Sequence, residues 1–206
     1  GKKLIESEYK IMAAMTIVDC AKPEDYERVI DKTIEIYQRM RKEHSFLTGS
    51  EDIPFAAMLA LTDKSVDELI VDMEKSFGLL KSNFFSKDSV QALSHVLTLN
   101  DAFPEQKCER TMQIFEEFKK AKHKYGANYE LATLGTLATI DMTPEQIVNY
   151  VIQADETLKK VKGFGNLWLG AENRRMLSSL IVLSAYGSDS STASDSIVST
   201  LITLTI

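Results

Sequence analysis

The chain has 206 residues, enough for one large domain or two small ones, and at this size about 70% of the unfolded surface can be buried. Hydrophobic residues make up 44% and charged residues 26%, an ordinary balance for a globular protein, and the net charge of −6 argues against a general nucleic-acid or anionic-membrane surface. No apolar run reaches the roughly 20 residues that cross a bilayer, and no signal-peptide pattern opens the chain.

In chain order, a short apolar segment recurs that ends in an acidic turn, and a longer charged amphipathic segment follows it. Ile17-Val18-Asp19 leads to Pro23-Glu24, and Leu61-Thr62-Asp63 to Val66-Asp67-Glu68. Leu99-Asn100-Asp101 leads to Pro104-Glu105, and Thr139-Ile140-Asp141 to Pro144-Glu145. The four aspartates are spaced by 44, 38 and 40 residues, the size of a two-helix repeat. A fifth turn is expected at 187–189, and the tail, whose Thr/Ile/Val alternation is strand-like, also fits a helix through Ile197, Val198, Leu201 and Ile202. Proline at the first helical position gives up no hydrogen bond, and glutamate in the first turn faces the positive end of the helix dipole. All four prolines (Pro23, Pro54, Pro104 and Pro144) stand where a helix should begin.

The long segments, about 23–43, 65–82, 104–124 and 144–162, carry apolar residues three and four apart and predict one-faced helices. The short ones, 11–18, 55–61, 90–99, 131–140 and 176–185, are rich in Ala, Leu, Met and Thr on every side and predict helices buried between neighbours. The expected fold is all-α: tandem hairpins of about 40 residues, with short inner helices under amphipathic outer ones, forming an α/α superhelix or partial α/α toroid. Residues 1–206 are read as a single repeat domain. The first short helix is of buried character yet has no capping repeat before it, so the chain is expected to be the C-terminal part of a longer protein.

The loops from long to short helices, 43–52, 81–88, 123–130 and 162–172, each run basic, then aromatic, then acidic. Helical hairpins would bring them to one edge, and loops on one edge are where such proteins place their sites. The candidate rim comprises Thr48, Gly49, Glu51, Asp52, Asp88, Glu130, Trp168 and Glu172. The plainer reading is that cations end helices, anions begin them, and the aromatics plug the core. The turn from Leu47 to Asp52 packs a glycine and two adjacent carboxylates together, more than capping requires.

No catalytic residues are identified. The serines lack a nucleophile-elbow setting, and no phosphate-cradling loop occurs. His44, His95 and His123 do not cluster, and no paired-histidine or Glu-x-x-His spacing points to a metal. His44 and His123 end long helices, and His95 reads as a lone core histidine. Cys20 and Cys108 stand far apart, with no disulfide framework implied, which fits a reducing compartment. Basic runs such as Lys119 to Lys124 fall where helix C-termini want cations, so nucleic acid is not the expected partner. No cofactor is implied. The expected role is a non-catalytic binding or scaffold module for a protein or peptide, and the alternative is a small-ligand binder or hydrolase using the acidic and aromatic rim.

The stretch Phe46-Leu47-Thr48-Gly49-Ser50-Glu51-Asp52-Ile53-Pro54, with Leu59-Ala60-Leu61 and Ala92-Leu93-Ser94-His95-Val96-Leu97, resembles a bacterial family described only as a domain of unknown function (number four thousand and three). The resemblance covers most of the chain, and its most specific part is the Leu-Thr-Gly-x-Glu-Asp turn. It implies a cytoplasmic protein, longer at its N-terminus, with no assigned activity and no catalytic residues to carry over.

Overall fold

Each outer helix begins where the chemistry of its first turn requires. Ser65 accepts a hydrogen bond from the Glu68 amide while the Glu68 carboxylate accepts from the Ser65 amide, a reciprocal capping box, and Thr143 and Gln146 repeat the arrangement ahead of Pro144. Pro104 opens its helix directly after Phe103, and Pro23 opens a short 3-10 turn that runs into the next helix.

The computed structural model describes residues 2–123, 125 and 129–187. The expected fifth turn at 187–189, save Gly187, and the expected helix at 197–202 lie outside the described residues. Among the described residues, all regular structure is helical and no strand occurs. The helices are α1 (Lys2–Cys20), α2 (Tyr26–Glu43), α3 (Ile53–Ala60), α4 (Val66–Leu80), α5 (Lys87–Thr98), α6 (Pro104–Lys120), α7 (Ala132–Leu137), α8 (Pro144–Leu158) and α9 (Ala171–Tyr186). Short 3-10 turns at Ser50–Asp52 and Tyr129–Leu131 lead into α3 and α7.

Odd-numbered helices pack on one another in succession, α1 on α3, α3 on α5, α5 on α7 and α7 on α9. Even-numbered helices do the same, and each leans on the odd-numbered helix that follows it. Residues Pro54–Ala60, Ser89–Thr98 and Ala132–Leu137 are buried throughout, as segments apolar on all sides must be. Contact between α5 and α7 is close at Gly135, where an added Cβ would sit 3.0 Å from a Val96 methyl and 3.1 Å from one of Leu93. The even-numbered helices bury only a stripe, such as Val29, Thr33, Ile36 and Met40 of α2.

Three segments differ from the expectation, among them α9, which runs Ala171–Tyr186 against an expected 176–185 and leaves Ile181 47% exposed. Helix α1 runs Lys2–Cys20, longer than 11–18, because the apolar pattern marked only part of it while no proline or glycine stops the helix earlier. It is also not covered on all sides: Ile11, Met15 and Val18 are each more than half exposed. Helix α7 is shorter than expected, ending at Leu137 before a turn through Thr139.

Helices α3 and α7 have no basic residue in their last turn, yet their terminal carbonyls need partners. Neighbouring elements bring cations to the turns that follow α3 and α7 and to the last residue of α5. Lys32 of α2 donates to the Thr62 carbonyl at 2.7 Å, Lys64 donates to that of Thr98 at 3.1 Å, and Arg110 of α6 donates to that of Ile140 at 3.2 Å. A cation at the negative end of a helix is worth typically 0.3–1 kcal/mol, on the order of one surface interaction, and more when partly buried. These contacts tie the outer layer to the inner one.

Candidate functional site

Two loops meet at the starts of α3 and α5. The first leaves α2 at His44, whose carbonyl accepts from the amides of Leu47 (3.1 Å) and Thr48 (2.9 Å), and reaches the 3-10 turn Ser50–Asp52. Asp52 holds that turn by accepting from the Gly49 amide at 3.0 Å. The second loop ends at Ser86, whose hydroxyl accepts from the Ser89 amide at 3.2 Å and from the Ser89 hydroxyl at 2.8 Å. The Ser86 contact is the N-cap of α5, and the Asp52 contact closes the 3-10 turn that leads into α3.

Between the loops lies a cavity of about 180 Å³. Leu47, Phe55 and Ala92 give its apolar wall, Ser86 and Ser89 two hydroxyls, and Glu51, Asp52 and Asp88 three carboxyls. Asp52 is buried, Glu51 half-buried and Asp88 exposed. Gly49 belongs to the same geometry: a Cβ there would come within 2.3 Å of a Glu51 carboxylate oxygen, so that carboxylate lies folded across the glycine. Burial pushes the Glu51 carboxyl above its usual range, the Asp52 and Asp88 charges push it further, and its own backbone amide opposes them. Tyr9 of α1 responds to the same field, its phenol raised first by burial and then by Glu51, Glu8 and Asp52.

Behind the cavity stands a layer of buried polar groups from α5. Gln91 donates to the Thr48 hydroxyl at 2.8 Å, while its Oε1 has no hydrogen-bond partner. His95 is fully buried against the Phe55 ring, with ring centroids 5.5 Å apart. Its Nδ1 lies 3.4 Å from Asp52 Oδ1, outside hydrogen-bond geometry, and neither ring nitrogen has a hydrogen-bond partner. Buried polar atoms are rarely left so.

The remaining candidate residues lie elsewhere. Glu130 is buried and held in a two-pronged pair by Arg175, at 3.1 and 3.0 Å. Trp168 is 83% exposed on the loop before α9, and Glu172 is half-buried in the first turn of α9. None of the three lines the cavity. Thr48 is buried and occupied by Gln91.

Three buried or nearly buried acids elsewhere each have a strong cation: Glu130 has Arg175, Asp155 has Arg174 at 2.8 Å, and Asp72 has Lys107 at 2.7 Å. The cavity acids differ. Among the described residues, no lysine or arginine forms an ion pair with Glu51, Asp52 or Asp88. Among the described residues, too, no group of three or more His, Cys, Asp or Glu side chains is placed to hold a metal ion.

His95, Gln91, Ser86, Ser89 and Phe55 were not singled out from the sequence as site residues. One signal for them existed: Thr48 with Gln91 and Asp52 with His95 are both 43 residues apart, close to the spacing of the acidic turns. The two loops carry another feature. Phe46, next to Leu47, and Phe85, next to Ser86, are wholly exposed, at 101% and 103%.

Over residues 2–206 the chain matches a family described as protein of unknown function (DUF4003). It is 27% identical over 133 residues to the uncharacterized protein YeaA of Bacillus subtilis (strain 168), a match covering 64% of this chain and 39% of that protein. The match thus spans about two fifths of the relative's length. No solved structure matches the chain. Among the described residues no helix is long and apolar enough to cross a membrane.

Proposed function

The chain belongs to the DUF4003 family of proteins of unknown function, and from that premise we propose that it is a non-catalytic binding module, which receives a protein or peptide partner on the rim around Phe46 and Phe85. Its helical hairpins are read as tandem repeats stacked into an α/α superhelix. The succession of contacts along each layer, and the turns spaced by about 40 residues, support that reading. A cytoplasmic location is part of the proposal, and the two free cysteines, one buried and one half-buried, support it.

One observation carries the partner-binding reading. The two loops that frame the acidic cavity each raise a phenylalanine fully into water. Single exposed apolar side chains are common, but two wholly exposed rings, each next in sequence to a residue lining the same cavity, offer more apolar contact area than scattered side chains do. Burying such a ring in a partner is worth about 1.5–3 kcal/mol, and aromatic residues are enriched in interface cores. The hydroxyls in the cavity favour binding over nucleophilic chemistry, because Ser86 and Ser89 spend theirs on each other and on a helix cap.

Affinity capture from a bacterial lysate tests the reading, with the wild-type chain and the double variant Phe46→Ser/Phe85→Ser as baits. A partner held by the first and lost by the second, at equal thermal stability, is the expected outcome. Identical captured sets would remove the rim as the docking surface.

A further inference from the structure

Among the described residues no lysine or arginine pairs with the cavity acids, and the buried histidine that faces Asp52 makes no hydrogen bond. Elsewhere in this fold a buried carboxylate is accompanied by arginine or lysine, as at Glu130, Asp155 and Asp72. That is the general rule for buried charge, since an unpaired carboxylate pays the full cost of leaving water. Asp52, only 5% exposed, has the backbone amide of Gly49 and a misaligned histidine. The fully buried His95 turns Nδ1 toward the Asp52 carboxylate, yet neither of its nitrogens is hydrogen-bonded. Local turn chemistry accounts for Asp52, which accepts from the Gly49 amide in the turn before α3, and for Asp88, an acid in the first turn of α5. It does not explain Glu51, whose carboxyl folds over Gly49 into the same space.

We infer that the cavity between the 44–52 and 81–88 loops is a receptor for a cationic group on an apolar stem, an alkylammonium, held by Glu51, Asp52 and Asp88. A volume of about 180 Å³ falls below the roughly 300–1,000 Å³ of sites for drug-sized ligands, so the occupant is a side-chain-sized group. Leu47, Phe55 and Ala92 suit the methylene stem and the three carboxyls suit the ammonium. Phe46 and Phe85, next in sequence to the lining residues Leu47 and Ser86, offer exposed rings to an apolar part of the same ligand. The same chemistry is offered by a free aliphatic amine and by a lysine side chain of a peptide. The inference rests on the reading of this chain as a binding module and names the chemistry its rim selects.

Calorimetric titration of the whole chain with 1,4-diaminobutane, and separately with an N-acetylated tripeptide amide carrying lysine between two apolar residues, decides the matter. Each arm is run on the wild type, on Glu51→Gln/Asp88→Asn, and on Glu116→Gln/Glu117→Gln, which removes the same net charge from α6. A ligand this small should bind at about millimolar strength. Affinity should fall at least about tenfold in Glu51→Gln/Asp88→Asn and stay unchanged in the α6 control. A peptide tighter than the diamine upholds the proposal with a peptide as the source, and the reverse order upholds it with a free amine. Absence of binding to both probes by the folded wild type, or equal weakening in both variants, overturns it. The rim reading would survive that result if Phe46→Ser/Phe85→Ser still abolished partner capture, so the two failures are distinguishable.

Discussion

Asp52 Oδ1 and His95 Nδ1 face each other across 3.4 Å, one at the start of α3 and the other deep in α5, with almost no water reaching either side chain. Asp52 therefore has two jobs, since its other oxygen holds the Gly49 amide. Asp52→Asn keeps an oxygen for that amide and removes the charge beside His95 and Glu51. Asp52→Ala removes both. In urea unfolding the Ala variant should lose about 1–2 kcal/mol, the usual range for a lost cap, and the Asn variant clearly less. Equal losses would mean that the charge facing His95, not the cap, is what stabilises the turn.

Glu51 is the reverse case. Its carboxyl sits above the ordinary value of 4.5, chiefly through burial. A raised folded value means the ionised form is disfavoured by the fold. Glu51 then contributes stability below about pH 4.5, and that contribution is lost as pH rises through its folded value. Glu51→Gln should accordingly be more stable than the wild type at pH 7, by up to about 1 kcal/mol or some 2–4 °C in Tm. The difference should shrink toward pH 4. Thermal melts across that range give the answer, and stabilisation of this kind at a binding site is a familiar exchange of function for stability.

Lys107 and Asp72 form a pair in which the ammonium is almost fully buried. Burial lowers the Lys107 pKa and the Asp72 carboxylate, its hydrogen-bond partner, opposes that. Lys107→Met leaves Asp72 without its cation and should cost about 2–4 kcal/mol, toward the lower side because Asp72 keeps some contact with water. Lys107→Met/Asp72→Leu should recover most of that loss in chemical denaturation, since removing both charges removes the penalty of leaving one alone.

His123 supplies a second pH handle. Burial holds its pKa below 6.5, with Arg175 and Arg174 adding to the effect against Asp155 and Glu156. For a base with a depressed folded value, the unfolded chain takes up the proton first. Stability should thus be full above about pH 6.5 and should fall as pH drops through the depressed value. His123→Phe should flatten the stability profile between pH 6.5 and pH 5, measured by denaturant midpoint.

The helical character of the chain was legible because prolines, acidic first turns and apolar spacing all agreed, and the starts at Pro104 and Pro144 fall on the expected residues. The capping boxes at Ser65 and Thr143 were equally readable, as Ser-x-x-Glu and Thr-x-x-Gln, and would have fixed two helix starts without reference to the acidic turns. The length of α1 was not readable, since periodicity reports which residues are buried and not where hydrogen bonding stops. At the candidate site, the turn holding Glu51 and Asp52 stood out by local composition. His95 and Gln91 did not, because their partners are 43 residues away and only the stacking of α5 beside α3 brings them together. Glu130 looked like the other loop acids, and its engagement with Arg175 depends on a contact spanning 45 residues.

The most direct measurement of the central claim is site-specific photocrosslinking from the rim. A photoreactive phenylalanine analogue is placed at position 46, at position 85, or at the exposed outer-helix position of Val71 as a control. The account expects positions 46 and 85 to trap the same partner in cell extract, and position 71 to trap nothing above background. Crosslinks from 46 and 85 that match those from 71, or that share no partner with each other, would contradict it.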